Sequence, residues 1–261
     1  MSILHRLLVV VFTTASVALF TGGCGKEETA PTGAAPVKTL VVGTEATFPP
    51  FEMRDDKGEI VGFDIDLVKA ISAKIGQPVE FKDMGFDALI PALQAGQIDL
   101  IASGLSITDE RKLVVDYSDP YIEAGLALAV RKDEKTIKGV GDLQGKSVAV
   151  QQGSTGAKTA EAMLADKKIG SVKQFPNVPL AMMELAKGGV DVVINDKPVT
   201  EAFVAQQKDI MLLPETLESD SYGLAMRKGN TELQTKVNKA LGELKAEGFF
   251  DTLKVKYFKA E

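Results

Sequence analysis

The sequence has 261 residues, of which 45% are hydrophobic and 25% are charged, and its formal net charge is −6 at pH 7. This length and apolar fraction describe one or two globular domains with an ample core. No basic cluster is present, so we expect no nucleic-acid partner, because phosphate binding needs concentrated Lys and Arg.

The first 23 residues have the pattern of a secretory signal peptide. A short basic start at 1–6 precedes the apolar run 7–20, which is too short to span a bilayer comfortably, and small residues fill 21–23. Cys24 follows directly and resembles the lipidated residue of a bacterial lipoprotein; ordinary cleavage with an incidental free thiol is the alternative. The polar, Pro-containing segment 24–38 is predicted to be a flexible tether.

The histidine and cysteine content limits the chemistry of the mature chain. His5 is the only histidine and Cys24 the only cysteine. Cleavage after residue 23 removes the first, and lipidation consumes the second. Ser–His–Asp triads, Cys–His nucleophiles and zinc sites built on His or Cys are thereby excluded, and we expect neither a metal nor a cofactor.

Strand and helix patterns alternate after the tether. Strands are predicted at 39–44, 78–82 and 98–102, and helices from Asp64, as the N-cap, to Gly76 and at 86–94. Pro49 and Pro50 fix an extended loop between the first strand and the first helix. The alternation predicts a mostly parallel sheet.

A turn from strand to helix at 103–108 carries the groups of a carboxylate receptor. Thr108 is predicted to cap a helical segment that continues to Val115. A carboxylate binds free N–H donors and a planar cation, which Gly104, Ser106 and Arg111 can supply within one turn. The alternative is that Arg111 only pairs with a neighbouring acid on a solvated helix face.

An internal repeat favours the receptor interpretation. Segment 93–101 (LQAGQIDLI) is echoed at 185–193 (LAKGGVDVV), and both predict a helix end, a glycine cap and a buried strand. At the same offset Ser103 aligns with Asn195, so the second strand leads into Asn195 and Asp196. Ligands of open α/β sheets bind beyond the carboxyl ends of the strands, so two facing halves would enclose a zwitterion such as an α-amino acid.

A second α/β series follows a predicted strand at 125–130. It has a strand at 147–150 and helices near 156–167, 180–187 and 198–206, and 221–226 is predicted to lead back to the first series, ahead of a helix from Thr231. We predict lobe 1 at 39–124 plus 221–261 and an inserted lobe 2 at 125–220. Two strands would form the hinge on which the lobes close.

The motifs EATFPPFE at 45–52, GFDIDL at 62–67, FDALIPAL at 86–93 and SITDER at 106–111 resemble the polar amino-acid branch of the periplasmic solute-binding proteins of ABC importers. The resemblance runs from about residue 39 to residue 257. It implies an α/β, periplasmic-binding-protein-like fold and a monomer that is not an enzyme. It also implies that a free L-amino acid is delivered to an ABC permease by a protein that is lipid-anchored in the periplasm or on the outer face of a bacterial membrane.

The resemblance assigns the two ends of the amino acid. Arg111, Ser106 and the Gly104 backbone would hold the α-carboxylate. Asp196 would take the α-ammonium, and it could also cap the helix that follows. In the loop 153–156, the N–H groups around Ser154 and Thr155 would form a second anion cradle, or only a helix cap.

The side-chain end is assigned less completely. Phe48 and Phe86 would sandwich the side chain, although buried aromatics are more often core. Glu45 would receive a polar or cationic group. Ser103, Gln151 and Asn195 complete the predicted site. No Arg or Lys presents itself to a side-chain carboxylate, so glutamine or a basic amino acid such as arginine or lysine is favoured, and cystine-type ligands remain open.

Two other functions are compatible with such a fold. The first is a carboxylate-dependent dehydratase of prephenate-like acids, which needs a general acid and no ammonium partner. The second is a sensor module that binds the ligand and reports through a partner protein. Turnover of arogenate or prephenate separates the first from a binding protein.

Overall fold

Two five-stranded sheets organise the computed structural model, which describes residues 38–258. The predicted signal peptide, Cys24 and the tether up to residue 37 lie outside the described residues. Within 38–258, no helix combines the length and the apolar character needed to cross a membrane.

The strands and helices follow one another in the order predicted. The strands are β1 Leu40–Thr44, β2 Thr47–Phe48, β3 Glu52–Arg54, β4 Ile60–Val61, β5 Val79–Asp83, β6 Leu100–Ile101, β7 Val115–Tyr117, β8 Ile122–Arg131, β9 Ser147–Gln151, β10 Ser171–Phe175, β11 Val192–Asp196, β12 Ile210–Tyr222 and β13 Ala225–Arg227. The helices are α1 Phe63–Ile75, α2 Phe86–Gln94, α3 Asp109–Lys112, α4 Thr155–Ala165, α5 Val178–Ala186, α6 Lys197–Gln206, α7 Thr231–Ala246 and α8 Phe249–Tyr257.

Both large sheets are mostly parallel. The first sheet has the order β5-β1-β6-β13-β7, and only β13 runs against the others. The second has the order β10-β9-β11-β8-β12, and only β8 runs against the others. Strands β2, β3 and β4 form a small antiparallel sheet. The predicted α/β fold is confirmed.

The internal repeat has the same geometry in both sheets. Gly96 and Gly188 end α2 and α5 with φ of +73° and +77°. Each is followed by an aspartate, Asp99 or Asp191, whose N–H joins the neighbouring β1 or β9 and whose carboxylate accepts an N–H from that strand. Equivalent sequence therefore builds equivalent strand ends, which places Ser103 and Asn195 at the same edge of their sheets.

Two long antiparallel strands connect the sheets. β8 and β12 pair from Arg131 opposite Ile210 to Ile122 opposite Tyr222, and β7 and β13 continue from them in the first sheet. The segment 221–226, which was predicted to lead back to the first α/β series, comprises the end of β12 and the start of β13. The exact boundaries of the two lobes stay a prediction.

Two local predictions were wrong. Asp64 does not cap α1, because Gly62 occupies the N-cap at φ +142° and Asp64 lies inside the helix with a buried side chain. A side chain at Gly62 would collide with the Phe51 carbonyl, so the chain can enter α1 only through glycine. The helix capped by Thr108 was predicted to continue to Val115. It ends at Lys112, because β7 begins at Val115.

Candidate functional site

A narrow, largely enclosed cavity lies where the carboxyl ends of the two sheets meet. Its walls bring together all the predicted site residues except Glu45 and Ser103, and they include Gly156 of the predicted loop 153–156. The lining residues are Phe48, Phe86, Gly104, Ser106, Arg111, Gln151, Ser154, Thr155, Gly156, Asn195 and Asp196. The first five come from the first-sheet half and the others from the second-sheet half, so the cavity is shared.

Arg111 enters the cavity from α3. Thr108 accepts the Arg111 backbone N–H at 3.2 Å and so fixes the first turn of this short helix. The guanidinium donates to the Ser106 carbonyl at 3.0 Å and to the Gly153 carbonyl at 3.1 Å. It therefore joins loops of both halves, and it retains further N–H groups that can bind an anion.

In the loop before α3, the prediction that the Gly104 N–H binds a ligand carboxylate is wrong. Gly104 adopts φ +49°, and a Cβ there would lie 2.7 Å from the Phe48 ring, so only glycine fits. Its N–H donates to Asp64 at 3.0 Å and is not free for a ligand carboxylate. The Ser106 N–H has no hydrogen-bond partner within residues 38–258, which makes it the better donor of this loop.

Asp196 faces Arg111 from the end of β11. It is only 7% exposed, and its carboxylate accepts a short hydrogen bond from the Tyr222 hydroxyl. Burial raises the pKa of Asp196 to about 7, against the lowering effects of Tyr222 and Arg111. The side chain makes no cap bond to α6, so the predicted capping role is absent and the carboxylate is turned to the cavity wall.

The start of α4 supplies N–H groups from the second-sheet half. Ser154 is the N-cap, because its hydroxyl accepts the Ala157 N–H at 3.0 Å and donates to the Gln151 carbonyl at 2.7 Å. The N–H groups of Thr155 and Gly156 precede the first intrahelical bonds, and both residues line the cavity. The loop therefore serves as a helix cap and offers free donors at a positive helix end.

Glu45 lies behind the cavity wall and reaches across to Gln151. Its carboxylate accepts hydrogen bonds from the Thr47 hydroxyl and, at 3.2 Å, from the Gln151 amide. Burial raises the pKa of Glu45 to about 7, while these two hydrogen bonds lower it. Ser103 does not line the cavity; its hydroxyl accepts the Glu45 N–H at 3.0 Å and so positions that residue.

The remaining predicted residues form the cavity walls. The Phe86 ring lies under the Arg111 guanidinium at 5.5 Å, which is a cation–π distance. Phe48 is 6% exposed and packs on Gly104. The Asn195 amide donates to Thr200 at 3.2 Å and thereby ties β11 to α6.

Tyr222 was not predicted as a site residue, whereas Gly156 belongs to the predicted loop 153–156. Tyr222 is fully buried and packs edge-on against Phe51 at 5.0 Å, so its sequence context is that of an ordinary core aromatic and gives no sign of its bond to Asp196. Gly156 ends the Gly-Ser-Thr-Gly loop whose N–H groups were predicted to form an anion cradle. A Cβ on it would lie 2.9 Å from the Ile194 carbonyl, so the close approach of α4 to β11 requires glycine.

Comparisons with known proteins show which family the chain resembles. The family model for bacterial extracellular solute-binding proteins, family 3, matches residues 40–260. A probable histidine-binding protein of Neisseria gonorrhoeae is 36% identical over 92% of this chain and 90% of its own. A lysine/arginine/ornithine-binding periplasmic protein of Escherichia coli K12 is 36% identical over 86% of this chain and 89% of its own.

Solved structures are similar over most of the chain. An ancestral arginine-binding protein bound to arginine is 50% identical, with a TM-score of 0.81 over 84% of this chain and 98% of that one. The ancestral amino acid-binding protein AncCDT-1, a precursor of cyclohexadienyl dehydratase, is 39% identical, with a TM-score of 0.79 over 85% of this chain and 96% of that one.

Proposed function

Because the chain belongs to the bacterial extracellular solute-binding proteins of family 3, we propose that it encloses one L-amino acid between two lobes and delivers it to an ABC-type permease. One observation carries the proposal: Arg111 belongs to the first-sheet half and Asp196 to the second-sheet half, and both line the same small cavity. A cation and a carboxylate across one cavity match the two charged ends of a zwitterion. Ser106, Thr155 and Gly156 would add N–H donors to the ligand carboxylate.

The residues expected to surround the ligand side chain favour arginine. The Gln151 amide lines this end of the cavity and holds the Glu45 carboxylate directly behind it. A guanidinium that displaces their hydrogen bond would meet both groups while its alkyl stem lies between Phe48 and Phe86. The similarity to arginine-binding proteins supports this choice. Lysine, glutamine, histidine and cystine are the alternatives that remain.

The proposal is tested by a thermal-shift screen of refolded protein against the twenty amino acids, ornithine, citrulline and cystine. A ligand at about a hundred times its dissociation constant adds roughly 2.7 kcal/mol to the unfolding free energy, which raises Tm by several degrees. We expect arginine to give the largest shift. A shift by simple carboxylates alone, with none from an α-amino acid, contradicts the proposal.

The charge of Glu45 is expected to decide between arginine and glutamine. Glu45→Gln should weaken arginine binding by about tenfold or more, because a hydrogen bond to a charged group contributes about 1.5–3 kcal/mol, and should change glutamine binding by less than about threefold. Calorimetric titration of both ligands measures the ratio. Equal losses for the two would show that Glu45 does not contact the ligand side chain.

Acidification should weaken arginine binding in the wild-type protein. Glu45 takes up a proton as the pH falls through about 7, and the neutral carboxyl no longer pairs with a cation. Asp196 titrates in the same range and affects every amino acid. The ratio of arginine to glutamine affinity isolates Glu45: it should fall between about pH 8 and 6 in the wild type and stay constant in Glu45→Gln.

Contacts across the mouth of the cavity support lobe closure. The exposed side chains of Glu110 on α3 and Lys158 on α4 form an ion pair between the two halves, and Gly153 packs against Asp87. We propose that this pair stabilises the closed form. The hinge, the boundaries 39–124 plus 221–261 and 125–220, and the monomeric state belong to the same proposal.

Removal of the ion pair should weaken ligand binding slightly and non-additively. Exposed pairs contribute about 0.2–1 kcal/mol, so Glu110→Gln and Lys158→Gln should each raise Kd by up to about fivefold. The double variant should raise Kd by no more than either single change does. Lys236→Gln is the control, because its partner Glu232 lies on the same helix. Additive losses would mean that the two side chains do not interact when ligand is bound.

The amino-terminal sequence is the basis for the proposed cellular location and membrane attachment of the protein. We propose that residues 1–23 are cleaved and that Cys24 is lipidated, which would anchor the mature protein at the periplasmic or outer face of a bacterial membrane. Metabolic labelling with a palmitate analogue tests the anchor. Cys24→Ser is its control and should lose the label.

A dehydratase is the second candidate, because Glu45 and Asp196 are buried carboxyls with pKa values near 7, as general acids have. Its support is the similarity to AncCDT-1. We expect no turnover of prephenate or arogenate by the refolded protein. Product formation that is lost in Glu45→Gln or Asp196→Asn would establish the enzyme instead.

A further inference from the structure

Two carboxyl groups outside the cavity hold the loop 103–106 from behind. Asp64 of α1 is fully buried and accepts the Gly104 N–H at 3.0 Å and the Tyr121 hydroxyl at 2.7 Å. Glu52 of β3 is also fully buried and accepts the Ser103 hydroxyl at 3.2 Å. The two residues that begin the loop are thus each tied to a different buried acid.

Neither acid has a cationic partner in the part of the chain that the structure describes. Within residues 38–258, neither Asp64 nor Glu52 has a Lys or Arg among its hydrogen-bond or ion-pair partners. They lie close to each other, since the Asp64 N–H donates to the carbonyl of Phe51, the neighbour of Glu52. Two adjacent carboxyl groups in a dry interior do not both ionise, so one of them carries a proton.

The hydrogen bonds assign the proton to Glu52. Asp64 lies in the first turn of α1, where the helix dipole favours an anion, and it accepts from two donors. Glu52 accepts from a single donor, and its side chain also lies within hydrogen-bonding reach of Asp64, so a proton on Glu52 has the Asp64 carboxylate as its acceptor. The pKa values follow this order: burial raises the pKa of Asp64 to about 6, whereas burial and the neighbouring Asp64 raise that of Glu52 well above its ordinary value.

We propose that an ionised Asp64 and a protonated Glu52 are positioning residues for the amino-acid site, holding Gly104 and Ser103 in place without touching the ligand. This inference rests on the proposed function for its effect on affinity. The Asp64 bond keeps Gly104 in its left-handed conformation against the Phe48 ring, and the Glu52 bond orients Ser103, which in turn receives the Glu45 N–H. Displacement of this loop moves Ser106, the proposed carboxylate donor, together with the side-chain receptor Glu45.

The first test compares three isosteric variants by calorimetric titration and by Tm. Asp64→Asn should weaken arginine binding by roughly tenfold, because it removes a charge-assisted hydrogen bond. Glu52→Gln should weaken binding less than Asp64→Asn does, since a neutral amide replaces a neutral acid and keeps an acceptor for the Ser103 hydroxyl. Asp66→Asn is the control. Asp66 lies on the same helix and bonds Lys256 and Tyr257, so its loss should lower Tm and leave affinity unchanged. If Asp64→Asn lowers only Tm, or if Glu52→Gln weakens binding as much, the inference is wrong.

The second test needs no ligand and so separates failure of this inference from failure of the proposed function. Hydrogen exchange over 103–106 should be faster in Asp64→Asn and unchanged in Asp66→Asn. If Asp64→Asn does not fold, Tyr121→Phe removes one donor to Asp64 while keeping the ring stacked on Phe63, and it should give a smaller increase.

Infrared spectroscopy locates the proton directly. At about pH 8, where carboxyl groups with pKa values near 7 are mostly ionised, the wild type should show the C=O stretch of a protonated carboxyl group, and this band should be lost in Glu52→Gln. A band that survives in Glu52→Gln, or its absence from the wild type, overturns the protonation assignment. Unchanged exchange in both Asp64→Asn and Tyr121→Phe overturns the positioning role.

Discussion

Arg111→Ala is expected to raise the dissociation constant for arginine by about thirtyfold or more. Truncation of one partner in a buried, hydrogen-bonded charge pair costs about 2–5 kcal/mol, much of it from the charge left unpaired. Arg111 also bridges to Gly153 across the cavity, so the variant loses a contact between the two halves as well. Arg111→Lys should recover only part of the affinity, because an ammonium lacks the planar fork of donors that fits a carboxylate.

Calorimetric titration measures this effect, with Lys112→Ala as the matched control. Lys112 is the next residue of the same short helix, it is half exposed, and its ion pair is with Asp109. Its removal should leave Kd within about twofold of wild type. Equal binding by Arg111→Ala and Lys112→Ala would remove Arg111 from the ligand site.

Asp196→Asn is expected to change affinity and stability in opposite directions. Affinity for every α-amino acid should fall by about thirtyfold or more, because the ligand ammonium loses its counter-charge. The ligand-free protein should become more stable at neutral pH. The substitution removes a buried charge that has no ion pair with a Lys or Arg among residues 38–258, and it keeps an acceptor for the Tyr222 hydroxyl.

The pKa of Asp196 explains why the substitution should stabilise the ligand-free protein. It is raised from 3.8 to about 7 in the folded protein, so the proton binds the folded state more tightly than the unfolded one. Below about pH 4 the Asp196 carboxyl does not lower the free energy of unfolding. As the pH rises from about 4 through 7, it lowers the free energy of unfolding by at most roughly 4 kcal/mol. Ligand-free Asp196→Asn should therefore exceed the wild-type Tm at about pH 8 and lose that advantage at about pH 4.

Asp191→Asn is the control for this pH dependence. Asp191 precedes the same strand, but the N–H and hydroxyl groups of Ser147 bond its carboxylate and lower its pKa. Its replacement should lower Tm at neutral pH. A lower Tm at about pH 8 in both variants would show that the charge of Asp196 is stabilised in the ligand-free protein.

The sequence predicts those parts of the site that depend on local chain geometry. The glycine caps at Gly96 and Gly188 and the N-caps Thr108 and Ser154 are set by neighbouring residues, so the strand ends and helix starts that carry Arg111 and Thr155 could be located in advance. The periodicity of each segment then fixes which element follows which strand.

Contacts between distant residues could not be predicted in the same way. A polar residue before an apolar run reads as a cap, yet Asp64 is buried and bonds Gly104, 40 positions along the chain. Tyr222 has the apolar context of a core residue and still bonds Asp196. The N–H of Gly104 looked free because nothing in its own segment reveals an acceptor from another helix. Such partners are decided by packing between elements, which has no period in the sequence.

The most direct measurement is a calorimetric comparison of L-arginine with two of its derivatives, agmatine and Nα-acetyl-L-arginine, on refolded wild-type protein. Agmatine lacks the α-carboxylate that Arg111 would bind, and the acetyl compound lacks the α-ammonium that Asp196 would bind. We predict that L-arginine binds with one molecule per chain and that each derivative loses about thirtyfold or more in affinity. If either derivative binds as tightly as L-arginine, Arg111 and Asp196 do not recognise the two ends of an amino acid.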